Sequence, residues 1–337
     1  MKPLNYSLFQ LRGDLFGGLT AGVVALPLAL AFGVASGAGA IAGLYGAIAL
    51  GFFAALLGGT PSQVSGPTGP MTVITTAAVA GFPGDLQSVF TVVLVAGALQ
   101  IVFGVIKAGI FVRYIPYPVI SGFMSGIGVI IILLQLHPLL GSGSMGSPLV
   151  ALIELPRAIG TANGYSLLLA GLTMLIVFLT PGRISRVLPS PLIALLSMSL
   201  LSTALSFPVQ TIGDIPSGLP ELAIPTFAPD KLPKILAMAL ALSVLGVIDS
   251  LLTSIVADSM TKERHDSNQE LIGQGVGNMA AALIGGLPGA GATMRTVVNI
   301  KAGGTTRLSG MIHSVFLVGV LLGLGKYTAH IPMPVLA

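Results

Sequence analysis

Cysteine is absent from the 337 residues, which excludes disulfides, thiolate metal sites and cysteine nucleophiles. Charge is scarce: 8% of residues are Asp, Glu, Lys or Arg, against about a quarter in soluble domains. That shortage leaves no room for a soluble domain of any size. The four histidines, His137, His265, His313 and His330, lack metal-ligand spacing and read as structural or solvated. No Gly-Lys-Ser/Thr phosphate loop occurs, so no ATP site or other cofactor is visible. The net charge of +4 is too small to argue for nucleic acid. Residues 1–14 are too short and mixed for a cleavable signal. No nucleophile–base pair or metal cluster stands out, so an enzyme is the least favoured class.

What is present is apolar: 54% of residues are hydrophobic, and the mean hydropathy is +0.97. The chain is read as an all-α polytopic membrane protein surrounded by lipid. Spans are expected at about 15–36, 40–57, 89–106, 117–139, 165–180, 188–206, 235–257, 271–286 and 309–325. Another apolar run starts near residue 331 and stops after seven residues, too few for a span, so the chain is expected to be truncated there. Residues 71–80 and 293–300 are too short to cross alone, and each follows a Gly/Pro-rich stretch. They are read as half-helices behind extended segments. With the N-terminus (Lys2, Arg12) inside, basic pairs fall in the inner loops: Lys107 and Arg113, Arg183 and Arg186, Lys262 and Arg264, Lys301 and Arg307. The long outer loop, 207–234, carries Asp214, Glu221 and Asp230 against Lys231 and Lys234.

The two broken segments resemble each other. Aligning Gly69 with Gly291 also aligns Gly81 with Gly303, and each unit is preceded by Gly-Gly-x-Pro. An odd number of crossings separates them, so the copies are inverted. Broken helices at matching places in two halves point to a transporter site near the midplane. Two helix N-termini meeting there offer free N–H groups and positive dipole ends to an anion. Thr68 and Thr293 stand at these starts, as helix caps, as ligands, or as both. Gly291 and Ala292 allow close backbone approach.

Asp249, in LGVIDSLLTSIV, is read as the only carboxylate well inside a span. Such residues are costly in lipid and mark function. Thr253 lies four residues on and shares its helix face. Carboxylate, hydroxyl and freed carbonyl oxygens suit Na⁺; a proton on Asp249 is the alternative. Arg295, one turn into the second half-helix, supplies fixed positive charge, snorkels, or pairs with Asp249. From spacing alone, Phe32 reads as a packing residue.

RGDLFGGLTAGVVALPLALAFGVASGAGAIAGLYGA (12–47), SQVSGPTGPMTV (62–73) and GGLPGAGATMRTVVNIKAGG (285–304) resemble the SulP anion transporter family, over nearly the whole chain. The resemblance implies a uracil-transporter-like fold of seven plus seven inverted spans. A core domain would comprise residues 1–110 (spans 1–4) and 231–330 (spans 8–11). A gate domain would comprise 111–230 (spans 5–7) and the start of span 12 at 331–337. It also implies elevator-like movement of core against gate. The implied anion site is Thr68, Gly69, Ala292, Thr293 and Phe32. The implied sodium site is Asp249, Thr253, Gly291 and Thr293. Leu28 replaces a polar residue usual in the family, which leaves more of the anion contact to backbone. Spans 13 and 14 and a C-terminal STAS domain, which commonly supports a homodimer, are absent from the sequence. The function implied is Na⁺-dependent bicarbonate symport across a plasma membrane. Proton-coupled sulfate or dicarboxylate uptake and an uncoupled anion channel are the alternatives.

Overall fold

The computed structural model describes residues 7–114, 117–143, 145, 148–185, 190–211, 222–328 and 330–337. Lys2, Arg186, Asp214 and Glu221, used in the charge reading, lie outside the described residues.

The first helix, α1 (Leu8–Ala35), begins earlier than its hydropathy suggests. Ser7 and Gln10 close a capping box, each side chain bonding the other's backbone, so Arg12 and Asp14 are carried inside the helix. α2 (Ala40–Leu57) keeps its expected bounds. β1 (Ser65–Gly66) and the half-helix α3 (Gly69–Gly81) follow. α4 (Leu86–Val105) starts behind the cap Asp85, whose carboxylate accepts from Ser88 N–H. A 3-10 turn, Ala108–Tyr114, leads to α5 (Tyr117–Leu139).

Hydropathy passes over α6 (Pro148–Gly160), because Glu154, Pro156 and Arg157 interrupt its apolar run. It meets α7 (Gly164–Leu179) at a 113° bend. α8 (Gly182–Ser185) is a single turn, and α9 (Ser190–Ala204) follows. α10 (Leu232–Thr261) and α11 (Ser267–Leu283) form a hairpin. β2 (Ala290–Gly291) leads into the second half-helix, α12 (Thr293–Lys301), then α13 (Arg307–Thr328) and α14 (Met333–Leu336). Among the described residues α1, α2, α4 and α10 are each long and apolar enough to cross a membrane.

Two apolar clusters organise the helices. One joins α1, α2 and α13 to α7, α9 and α14 through residues such as Leu30, Leu44, Leu169, Leu195, Leu317 and Val335. The other joins α3, α4 and α10 through Met71, Val92, Ile235 and Leu242. Lipid gives little hydrophobic drive between helices, so close contact through small residues matters. Gly18 and Gly22 of α1 illustrate it: a Cβ on either would strike Ser309 and Ile312 or Phe316 of α13.

The two broken units meet at the centre. β1 and β2 pair antiparallel, Ser65 opposite Gly291 and Gly66 opposite Ala290. The ladder continues where Ala292 N–H donates to Val64 O at 2.9 Å. This confirms the extended-segment-plus-half-helix reading and corrects its register. Gly69 opens α3, whereas its proposed partner Gly291 lies in β2, two residues before α12. The helix caps Thr68 and Ala292 are the structural equivalents. The all-helical membrane fold is as expected.

Candidate functional site

One face of α10 gathers the site. Asp249 and Thr253 are one turn apart, 4% and 0% exposed, and each reaches a different half-helix. Thr68 Oγ1 donates to Asp249 Oδ2 at 2.7 Å. Thr253 Oγ1 donates to Gly291 O at 2.8 Å and lies 2.7 Å from Thr293 Oγ1. A hydroxyl has one proton, so Thr293 is the donor in that second contact. The neighbouring Ser250 and Ser254 anchor the crossing. Ser250 Oγ accepts from Gly291 N–H at 3.1 Å, and Ser254 Oγ donates to Gln63 Oε1 at 3.0 Å. Six residues expected at the site, Thr68, Gly69, Asp249, Thr253, Gly291 and Thr293, thus assemble around two strand ends and one helix face.

The helix starts keep their donors. The first bond of α3 is Thr72 N–H to Thr68 O at 2.9 Å, and that of α12 is Thr296 N–H to Ala292 O at 2.8 Å. Gly69 and Met71 in α3, and Thr293, Met294 and Arg295 in α12, have no acceptor within their helix. No side chain caps either start. Of the roles left open for the threonine hydroxyls, capping is therefore not the one they take. Thr68 and Thr293 turn their hydroxyls to α10 instead, and Thr293 is the first residue inside α12, not its cap.

Arg295 does not snorkel, and it interacts with Asp249 through its charge rather than in a direct salt bridge. It is 2% exposed, and the ion pairs among the described residues do not include it. Its Nη2 donates to Pro67 O, just ahead of α3, while Nη1 has no partner among the described residues. The guanidinium lies where a side chain on residue 66 would project, so the close approach requires Gly66. Arg295 thus ties the start of one half-helix to the other and leaves its buried Nη1 amino group for a further acceptor. Phe32, in α1, is half-buried and lies outside the two apolar clusters described above.

Asp249 is not the only buried carboxylate. Glu270, in α11, is 1% exposed; its Oε2 accepts from Gly59 and Thr60 N–H, and its Oε1 from Gln63 and Gln274 Nε2, at 2.7–2.9 Å. Asp14, in α1, is fully buried and accepts from Thr305 N–H, Thr306 N–H and the Thr306 hydroxyl. Both fell just outside the hydropathy-defined spans. Their shared signal was an acidic residue at the very edge of an apolar run.

A nucleophile–base arrangement absent from the sequence reading also emerges. In the α10–α11 turn, Ser267 Oγ lies 2.9 Å from His265 Nε2, and His265 Nδ1 lies 2.7 Å from Asp258 Oδ2. The N–H groups of Asn268 and Gln269, which would stabilise an oxyanion, are already bonded to Asp266 Oδ1. The trio is a clasp on the turn.

Outside the spans, Lys231 Nζ meets Asp85 Oδ2 at 2.6 Å. That bond, with those from Ser88, lowers the Asp85 carboxyl to about 2 and raises Lys231.

A sequence profile of the sulfate permease family matches residues 11–337. The bicarbonate transporter BicA of Synechocystis sp. is 51% identical over 335 residues, covering 97% of this chain and 59% of that protein. The chain thus spans about three-fifths of the length of that relative. The solved transmembrane domain of a cyanobacterial BicA is 50% identical and superposes with a TM-score of 0.92 over 98% of this chain and 87% of that one. Murine solute carrier 26 family member A9, at 22% identity, shares the fold, with a TM-score of 0.86 over 100% of this chain and 60% of that one. By its matched profile, its relatives and its crossed broken helices, this chain belongs to the sulfate permease (SulP) family of membrane transport proteins.

Proposed function

We propose that the protein is a secondary active transporter that carries bicarbonate together with Na⁺. The observation that carries the reading is Asp249: a carboxylate 4% exposed, within a membrane span, whose one hydrogen-bond partner among the described residues is a neutral hydroxyl. A buried carboxylate so sparsely satisfied is expensive unless a cation joins it. Its Oδ atoms, Thr253 Oγ1, Gly291 O and Thr293 Oγ1 form a set of hard oxygens suited to Na⁺.

The anion would sit against the free N–H groups of Gly69 and Met71 and of Thr293 and Met294, with Thr68, Ala292 and Phe32 around it. Half-helix dipoles favour its charge there, and Arg295 adds a fixed positive charge behind the crossing. Backbone donors read charge and size, so the choice of bicarbonate rests on the likeness to BicA. Na⁺ on Asp249 removes a negative charge that would otherwise repel the anion. Linkage then makes each ligand favour the other. The stitched half-helices would travel as one body, core against gate, in an elevator-like cycle in a plasma membrane with the N-terminus cytoplasmic.

The test is uptake of labelled bicarbonate into proteoliposomes, at a pH where dissolved CO₂ is minor, with and without an inward Na⁺ gradient. Uptake that requires Na⁺ supports the proposal. Uptake indifferent to Na⁺ overturns the symport and directs attention to proton-coupled sulfate or dicarboxylate transport.

A further inference from the structure

We infer that the Thr68 hydroxyl is the coupling element between the two ligands: its single proton is shared between Asp249 and the transported anion, and Na⁺ decides which receives it. The inference rests on the reading of Asp249 as a Na⁺ ligand given above.

Among the described helices whose cap residue carries a side-chain oxygen, Thr68 stands apart. Ser7, Asp85, Asn163 and Asp266 all use their side chains to accept from the helix they precede. Thr68 precedes α3 and does not. Its neighbours explain why. A cap oxygen serves the second or third N–H of the helix; the second residue here is Pro70, which has none, and Met71 N–H makes no bond to Thr68. The hydroxyl is freed from its ordinary task and donates 2.7 Å away to Asp249 Oδ2.

A hydroxyl donates once and accepts twice. While the proton points at Asp249, the Thr68 oxygen turns its lone pairs toward the start of α3, where the proposed anion also presents lone pairs. That contact is repulsive. Na⁺ bound to Asp249 supplies the carboxylate with a stronger partner and competes for the oxygen that Thr68 bonds. Rotation about one single bond, Cβ–Oγ, then turns the proton to the anion. One acceptor–acceptor contact is exchanged for a charge-assisted hydrogen bond, with no helix movement. The same exchange read backwards makes a bound anion favour Na⁺, as linkage demands. A charge-assisted hydrogen bond of ordinary strength gives a coupling factor of about ten- to a hundredfold in affinity.

The experiment compares Thr68→Ser and Thr68→Val with the parent protein. In proteoliposomes, the bicarbonate KM is measured at low and at saturating Na⁺; in detergent, ²²Na⁺ binding is measured with and without bicarbonate. The parent should show about a ten- to hundredfold fall in KM on adding Na⁺, and the Ser variant should retain most of it. The Val variant should lose the ratio, with KM nearly the same at both Na⁺ levels, while still binding ²²Na⁺ at least as tightly as the parent in the absence of anion. That binding shows a folded protein and an intact Asp249. If Val does not fold, Thr68→Ala replaces it in the same measurements. An equal rise in KM at both Na⁺ levels makes Thr68 a simple anion ligand and overturns the inference alone. A parent protein with no Na⁺ dependence overturns the symport reading and this inference with it.

Discussion

Asp249 and Glu270 are buried alike, at 4% and 1% exposure, within reach of the same strand crossing. Their surroundings differ. Glu270 accepts four hydrogen bonds, two from backbone and two from glutamine side chains, and fixes residues 59–63 ahead of β1. Asp249 accepts one, from Thr68, among the described residues. Every lone pair of Glu270 is committed, so it has nothing to give a ligand. Asp249 keeps acceptor capacity at a place where keeping it is costly. Burial alone would have marked both as functional; the count of donors separates a structural anchor from a binding group.

The largest expected effect comes from removing the anchor. Glu270→Ala would orphan four donors, each costing about 1–3 kcal/mol when buried and unpaired. Such a variant should yield little monodisperse protein on size exclusion; a variant with near-parental thermal stability would erase the distinction. Asp249→Asn should do the reverse. It retains a carbonyl acceptor for Thr68, so melting should stay near the parental value while Na⁺-driven uptake falls at least about tenfold, some 1.4 kcal/mol. Arg295→Lys lies between the two. It keeps the charge but loses the planar fork that reaches Pro67 O. A several-fold rise in anion KM is expected, with Na⁺ binding by ²²Na⁺ little changed.

The smallest effect concerns a carboxylate at the surface, Asp85. Its pKa is held below the ordinary 3.8, at about 2, by Lys231 and Ser88. A lowered carboxyl pKa stabilises the fold above the unfolded value, so this contribution is whole above pH 3.8 and is lost as the pH falls to about 2. Asp85→Asn should lower the melting temperature slightly at pH 7, and the difference from the parent should vanish toward pH 2.

Much of this contrast was readable from the chain, and the reasons are local. Thr68, Asp249, Thr253 and Thr293 are polar residues inside strongly apolar or Gly/Pro-rich runs, where lipid makes each conspicuous. The two half-helices were visible because Pro and Gly interrupt runs too short to cross. Glu270 and Asp14 were missed because hydropathy trims a span at its first charge, and local capping then carried that charge inside. The helix Pro148–Gly160 was missed because its charged residues and Pro156 mask its apolar face. What no single-sequence pattern supplies is donor arithmetic. Which hydroxyl reaches which carboxylate depends on α10 meeting two segments that lie 181 and 38 residues away in the chain.

The half-helix α3 is held by α10 at both ends. Thr68 meets Asp249 at the start, while Lys234 donates to Gly81 O at the finish and sits 4.9 Å from the Phe82 ring centre. The two helices run antiparallel between these fastenings, so α10 acts as a gauge against which the length of α3 is set. A helix advances about 1.5 Å and turns about 100° per residue. Gaining or losing a single residue in α3 would swing the Thr68 hydroxyl off Asp249 or pull Gly81 from Lys234. Length in this short helix is therefore as constrained as composition, and evolutionary or engineered variation should enter α3 as substitutions while insertions and deletions stay out.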